Sequence, residues 1–233
     1  MPRRPRAPWW VLVLSGVAGA LVVALAIALV RTGQASAHGA AATPATQAPH
    51  SVTFIGDSWT EGVGGTDRRG YAVLTGEQLG WNYHVLGVGG SGYSVPGRGS
   101  TFGERVGRAV ATHPDVIVVQ GSLNERSSTP RALTAAADAT LSRLRSAAGP
   151  HTRILVVGAS YTPGTPTATI DWINRAIRGA AARAGLEFVD PAAQEWTDPR
   201  DPAIWSDGNH PNDAGHQLVA DHLEPLLVAL VRG

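Results

Sequence analysis

Ser58 stands in the stretch Gly56-Asp57-Ser58-Trp59-Thr60-Glu61-Gly62, and near the other end of the chain His210 stands in Asp207-Gly208-Asn209-His210-Pro211. A serine hydroxyl is a weak nucleophile at its free pKa and needs a base to take its proton as attack begins. A histidine supplies that base, and an aspartate three positions before it can reach round to the ring and fix its tautomer. A turn serine alone reads more simply as a helix cap; an Asp-x-x-His elsewhere in the chain gives it chemical meaning. Asn124, in Gln120-Gly121-Ser122-Leu123-Asn124-Glu125, offers a side-chain amide that can donate a hydrogen bond, although an Asn in a turn needs no such role. Gly87-Val88-Gly89-Gly90-Ser91-Gly92 formally matches the dinucleotide fingerprint G-x-G-x-x-G. That motif requires a helix to open there and an acidic residue about twenty positions on. Pro96, Gly97 and Gly99 break any such helix, and no acid follows Glu104 until Asp115. The glycines fit better as a loop whose backbone N–H groups approach a ligand closely.

These residues have to be positioned by the elements around them. Ser51–Ile55, Tyr83–Leu86, Val116–Val119, Ile154–Val157 and Leu186–Val189 read as short strands. Runs such as Val116-Ile117-Val118-Val119 are apolar without alternation, as expected of strands covered on both faces. Helices are expected over Tyr71–Leu79, over Pro130–Ala148 with Thr129 as cap, over Thr167–Ala184 with Gly185 as C-cap, and over Asn212–Val231, with Pro211 at the start of the last. Strand–helix alternation predicts an α/β three-layer domain around a parallel sheet. In open sheets of this kind ligands bind beyond the carboxyl ends of the strands. Ser58, the glycine loop and Asn124 follow the first, second and third strands, and His210 precedes the last helix.

In that order and at those strand ends the sequence resembles the SGNH (GDSL-like) hydrolase family. The family's blocks are G-D-S near the N-terminus, a Gly after the second strand, an Asn after the third and D-x-x-H near the C-terminus; the match runs from about Ser51 to His216. The resemblance implies a flavodoxin-like α/β/α sandwich with five parallel strands. It implies Ser58 as nucleophile, His210 as base and Asp207 as orienter. The oxyanion hole would then comprise the Ser58 N–H, the Gly90 N–H and the Asn124 side-chain amide. No cofactor and no metal are implied. The third block departs from the family's G-x-N-D, reading Ser122-Leu123-Asn124-Glu125, so the donor is kept while the loop around it differs. The implied activity is that of a serine esterase. An envelope glycan O-acyltransferase using the same residues is the alternative, and a wall-binding module with a decayed site is a third reading that the intact residues argue against. The substrate class is a small-molecule or glycan-linked ester. Trp59, Tyr93, Trp196 and Trp205 are candidates to line an acyl or sugar pocket, with packing as their simpler role.

The composition agrees with a globular domain: 43% hydrophobic and 16% charged residues, with a formal net charge of +1 that gives no pull on nucleic acid. Every basic residue is Arg, and the absence of Cys excludes disulfides and thiolate chemistry. The His210, Asp213, His216 cluster reads as a solvated helix start rather than a metal site. Three segments are expected: an N-terminal membrane anchor over residues 1–31, a flexible linker over 32–49 and the hydrolase domain over 50–233. Trp9 to Val30 is an apolar run long enough to cross the roughly 30 Å hydrocarbon core of a bilayer. Arg3, Arg4 and Arg6 precede it and only Arg31 follows closely, which orients the following chain outward. The rival is a cleaved signal peptide ending at Ala35-Ser36-Ala37, but the run exceeds the roughly 7–15 residues of a signal core. The expected location is therefore the cytoplasmic membrane, single-pass, with the catalytic domain extracytoplasmic. Protease added to intact protoplasts should release the domain. Protection would show the orientation to be inverted, and appearance in the medium of a chain beginning near His38 would favour cleavage.

Overall fold

The computed structural model describes residues 48–232. The segments read as anchor and linker lie outside these, apart from Ala48 and Pro49. Among the described residues no helix is long and apolar enough to cross a membrane.

Five strands form the centre: β1 (Ser51–Gly56), β2 (Asn82–Gly87), β3 (Val116–Gln120), β4 (Arg153–Val157) and β5 (Glu187–Val189). All pair in parallel in the order β2-β1-β3-β4-β5, the flavodoxin-like order. One residue row crosses the whole sheet through Leu86, Ile55, Val119, Val156 and Phe188. This register brings the carboxyl ends of the strands level and places β1 and β3 side by side where the chain direction of the winding reverses. The crevice expected from the sequence opens there.

Five helices cover the sheet: α1 (Tyr71–Leu79), α2 (Phe102–Val110), α3 (Pro130–Ala147), α4 (Thr167–Arg183) and α5 (Asp213–Arg232). Alternate strand residues face opposite ways. Ile55, Ile117, Val119, Ile154 and Val156 pack with Val106, Leu141, Ile170 and Ile173 of α2, α3 and α4. Val52, Phe54, Val116, Val118 and Leu155 pack with Tyr71, Val219 and Leu223 of α1 and α5. The predicted three-layer sandwich is thus present, with three helices on one face and two on the other. Burial of each such side chain contributes about 1.5–3 kcal/mol, enough to hold the strands rigid beneath the loops that carry polar residues.

The local signals act largely as expected. Thr129 accepts the Ala132 N–H at 3.2 Å to cap α3, and Gly185 closes α4 at φ +64°. Two details differ. Pro211 does not begin α5; it bridges to Trp205, and Asn212 caps the helix by accepting the Gly215 N–H at 3.1 Å. Helix α2 was not anticipated, because glycines at 103 and 107 lower its propensity. Thr101 and Glu104 nevertheless form a reciprocal capping box at its start.

Candidate active site

Gly56 ends β1 where no other residue fits: a Cβ there would lie 1.9 Å from Thr60 Oγ1. The chain then turns tightly, with the Glu61 N–H donating to Asp57 O at 3.0 Å and the Val63 N–H to Ser58 O at 2.9 Å. Ser58 is left at the mouth of the crevice, 8% exposed. His210 Nε2 lies 3.0 Å from Ser58 Oγ, and His210 Nδ1 lies 2.8 Å from Asp207 Oδ2. The other Asp207 oxygen accepts the N–H groups of Asn209 at 2.7 Å and His210 at 2.8 Å. The carboxylate therefore cannot swing away from the ring. Trp59 Nε1 donates to Asn209 O at 2.8 Å and fastens the serine turn to the histidine loop. Ser58, His210 and Asp207 are thus brought into one hydrogen-bonded line. Such a line can pass a proton from hydroxyl to imidazole while the carboxylate balances the resulting charge.

Gly90 and Asn124 flank this line on the loops after β2 and β3. Gly90 adopts φ +76°, a left-handed conformation that favours glycine. Neither the Ser58 N–H nor the Gly90 N–H has a protein acceptor among the described residues. Asn124 Nδ2 donates to Ser91 O at 3.0 Å, which ties the two loops together and leaves the second amide hydrogen unassigned. Next to it, Gly89 O accepts the Arg98 N–H at 3.0 Å, which closes the glycine loop. Glu125, at the family's Asp position, turns away from the crevice. Its fully buried carboxylate accepts the Ser94 N–H at 3.0 Å and the Ser94 hydroxyl, and a Cβ on Gly92 would lie 2.2 Å from it. The longer side chain thus braces the glycine loop and leaves Asn124 in place.

Two further residues could not be singled out from the sequence. Arg105, 1% exposed, reaches under the site from α2 and donates to Gly56 O at 2.7 Å, to Leu86 O and to Ser91 Oγ at 2.8 Å. Burial lowers its pKa to about 10, so the guanidinium still carries its charge at neutral pH. Arg126 spans the lip of the crevice, donating to Thr165 Oγ1 at 3.0 Å and Asn209 Oδ1 at 3.1 Å. Of the four aromatic pocket candidates, Trp59, Tyr93 and Trp196 are each 2% exposed and pack in the interior. Trp205 stacks edge-on to Trp59 at 5.9 Å and remains partly exposed.

The electrostatics separate the carboxylates. Burial works to raise Asp207, but hydrogen bonds from the His210 ring and from the Asn209 and His210 N–H groups outweigh it and hold the carboxyl below its ordinary range. Asp57, 2% exposed, is pushed upward by burial, against the pull of Ser122, the Trp59 N–H, His210 and Arg105. Burial also raises Glu125. The sequence reading of a solvated His210, Asp213, His216 cluster is corrected at His216, which is fully buried. Its Nδ1 accepts the Tyr71 N–H at 3.2 Å and its Nε2 donates to Val63 O at 3.0 Å. Asp213 accepts from the Thr66 N–H and hydroxyl, both at 2.7 Å. Among the described residues no group of His, Cys, Asp and Glu is arranged to hold a metal ion.

The fold is a flavodoxin-like α/β sandwich with a serine, a histidine and an aspartate in line at its crevice, and comparison with known proteins shows its family. Residues 54–218 match the model of the GDSL-like lipase/acylhydrolase family. A GDSL lipase of Mycobacterium tuberculosis is 36% identical over 193 residues, covering 76% of this chain and 80% of that protein. The chain belongs to the GDSL-like lipase/acylhydrolase family and is a hydrolase acting on ester bonds. Among solved structures, an aryl esterase of Mycobacterium smegmatis superposes with TM-score 0.64 at 16% identity, over 78% of this chain and 99% of that one. A carbohydrate acetylesterase of Sinorhizobium meliloti gives the same values. At that identity these two show the shared fold.

The neutral, buried His216 gives a stability prediction. Burial is the largest influence on its ring and lowers its pKa from 6.5. The unfolded imidazole therefore takes up its proton at higher pH than the folded one. In that window the unfolded state binds more protons, so this residue's contribution to stability is present above about pH 6.5 and falls as pH drops below it. Asp57 and Glu125, raised when folded, act in the opposite sense, so the comparison must be with a variant that keeps both. On going from about pH 7.5 to about pH 5.5 the urea midpoint should fall more in the wild type than in His216→Phe. The variant itself should be less stable by about 1–3 kcal/mol, because the Tyr71 N–H and Val63 carbonyl lose their partner. Equal pH slopes in the two proteins would contradict this account.

Proposed function

We propose that this protein hydrolyses a carboxylic ester by acyl transfer to Ser58 and then to water, on the outer side of the cytoplasmic membrane. The observation that carries the mechanism is the line Ser58–His210–Asp207, with contacts of 3.0 and 2.8 Å. His210 Nε2 takes the Ser58 proton as Oγ attacks the ester carbonyl. The charge that develops on the carbonyl oxygen falls to the Ser58 N–H, the Gly90 N–H and the Asn124 amide. His210 then returns its proton to the departing alkoxide; in the second half it draws a proton from water as the water attacks the acyl carbonyl, and gives that proton to Ser58 Oγ as the acid leaves. Asp207 holds the ring with Nδ1–H toward itself throughout and offsets the imidazolium charge.

The dyad is open to solvent, the Asp207 side chain being 54% and that of His210 25% exposed, so water can reach the ring as the second half-reaction requires. Beside Asp207 lies a cleft lined by Pro163, Pro199, Pro202 and Trp205 among others, which offers apolar contact to one arm of a small ester. The outward placement rests on the arginines before Trp9–Val30.

Ranking the variants tests the mechanism. Ser58→Ala should abolish hydrolysis of p-nitrophenyl esters with the fold retained, and His210→Ala should be nearly as damaging. Asn124→Ala should lower kcat by roughly 10²–10³ with KM little changed, because the charge it meets exists only in the transition state. Asp207→Ala should fall between these, leaving measurable activity. A serine-directed phosphonate should label Ser58. Labelling at Ser91 or Ser122 instead would overturn the assignment, and a silent Asn124→Ala beside an inactive Ser58→Ala would remove that loop from the oxyanion hole.

A further inference from the structure

Ser122 occupies the first position of the block that reads G-x-N-D in the family, so its hydroxyl is a feature of this chain. The side chain is fully buried and stands where three loops meet. Its Oγ lies 2.7 Å from Asp57 Oδ2 and 2.8 Å from Ser91 O, and it accepts the Asn124 N–H at 3.0 Å. Asp57 precedes Ser58, Ser91 follows Gly90, and Asn124 carries the side-chain donor. One hydroxyl therefore touches a neighbour of each of the three proposed oxyanion donors, or the donor residue itself.

The hydrogen count gives these contacts a direction. A hydroxyl has one proton and two lone pairs. With two acceptors and one donor around it, Ser122 cannot donate to both Asp57 and Ser91. The hydrogen goes to Asp57 Oδ2, since Ser91 O also accepts from Asn124 Nδ2 at 3.0 Å, and the Asn124 N–H fills a lone pair of Ser122 Oγ. Burial, the largest influence on Asp57, raises its carboxyl, while the hydrogen bonds from Ser122 and the Trp59 N–H and the charges of His210 and Arg105 oppose it. Asp57 Oδ1 remains free to accept the Trp59 N–H at 2.9 Å. Ser91 is held from its other side as well, its hydroxyl donating to Val88 O at 2.6 Å and accepting from Arg105. Each member then has a partner, which is the condition for a buried polar network to be rigid.

We propose that Ser122 is a positioning residue for ester hydrolysis, its hydroxyl locking the Gly90–Ser91 turn and the Asn124 loop to Asp57 so that the three oxyanion donors keep a fixed geometry. The proposal rests on the oxyanion assignment made above. It acts through the donors and touches no reacting atom, so its removal loosens transition-state binding and leaves substrate binding unchanged.

The test measures kcat, KM and the affinity of phenylboronic acid, whose tetrahedral adduct on Ser58 places an anionic oxygen among the donors. Ser122→Ala should lower kcat by about 10- to 100-fold with KM within about twofold. It should weaken boronic acid binding by a similar factor. Ser122→Gly, which restores the family's residue and adds no bulk, should show the same loss and serves where the alanine variant folds poorly. Ser122→Thr, keeping the hydroxyl, should recover most of kcat. In the double variant Ser122→Ala/Asn124→Ala the loss should be smaller than the product of the single losses, since one acts through the other. Undiminished kcat in both Ser122→Ala and Ser122→Gly, or losses that multiply, would overturn the proposal. Phosphonate labelling separates the two levels: a wild type unlabelled at Ser58 defeats the nucleophile assignment itself, while labelled but fully active variants defeat only the role of Ser122.

Discussion

The 3.0 Å contact between His210 Nε2 and Ser58 Oγ joins residues 152 positions apart, and much of the domain is arranged so that it forms. Neither partner can be placed by its own loop. Ser58 is fixed because β1 lies inside the sheet, flanked by β2 and β3, and because Gly56 lets the chain turn directly at its end. His210 is fixed because α5 packs on the same sheet and carries its preceding loop to the carboxyl end of β1. Three cross-links then set the separation: Trp59 to Asn209, His216 to Val63 and Asp213 to Thr66. Each joins the segment after β1 to the segment around the start of α5. A displacement of about 1 Å between such groups can cost on the order of 10² in rate, which gives a reason for so many ties around one contact.

On the opposite flank the protein buries groups that would be costly alone. Asp57, Arg105 and Glu125 are all nearly or fully buried. Arg105 gathers carbonyl oxygens from the ends of β1 and β2, Glu125 gathers the Ser94 donors, and Asp57 meets Ser122 and the Trp59 N–H. An isolated buried charge would cost several kcal/mol, and removing one partner of a satisfied set is strongly destabilising. The same property makes the loops rigid. An oxyanion hole stabilises charge only when its donors are already aimed and need not reorganise. The buried polar layer beneath the crevice is consistent with that demand, and it explains why Glu125 can replace an aspartate without displacing Asn124: the extra methylene carries the carboxylate into the 92–94 turn.

The places of the strands along the chain, the cap of α3 and the proposed Ser58, Asp207 and His210 were legible in the sequence because each depends on local signals, while the order of the strands in the sheet was expected from the family resemblance. Unbroken apolar runs marked β3, Thr129-Pro130 marked the start of α3, and G-D-S and D-x-x-H marked the two halves of the crevice. Helix α2 was missed because its glycines obscured a Thr-x-x-Glu capping box that was present to be read. Pro211 was misassigned because a proline before a helix suits the first helical position, whereas here it pairs with Trp205 and leaves the cap to Asn212. Arg105 left no local trace, and Ser122 showed only as a departure from the family's third block. An arginine in an amphipathic helix and a serine in a loop acquire their roles only when β1, β2 and β3 are brought together, which is a property of the tertiary fold.

The central claim is that the ester's acyl group passes through Ser58. Rapid quenching of the wild-type domain with p-nitrophenyl acetate in the first turnover, followed by peptide mass spectrometry, tests it most directly. The account predicts a burst of p-nitrophenol with acetyl carried on the peptide at Ser58, decaying at the steady-state rate. Full turnover with the acetyl found at another residue would contradict it.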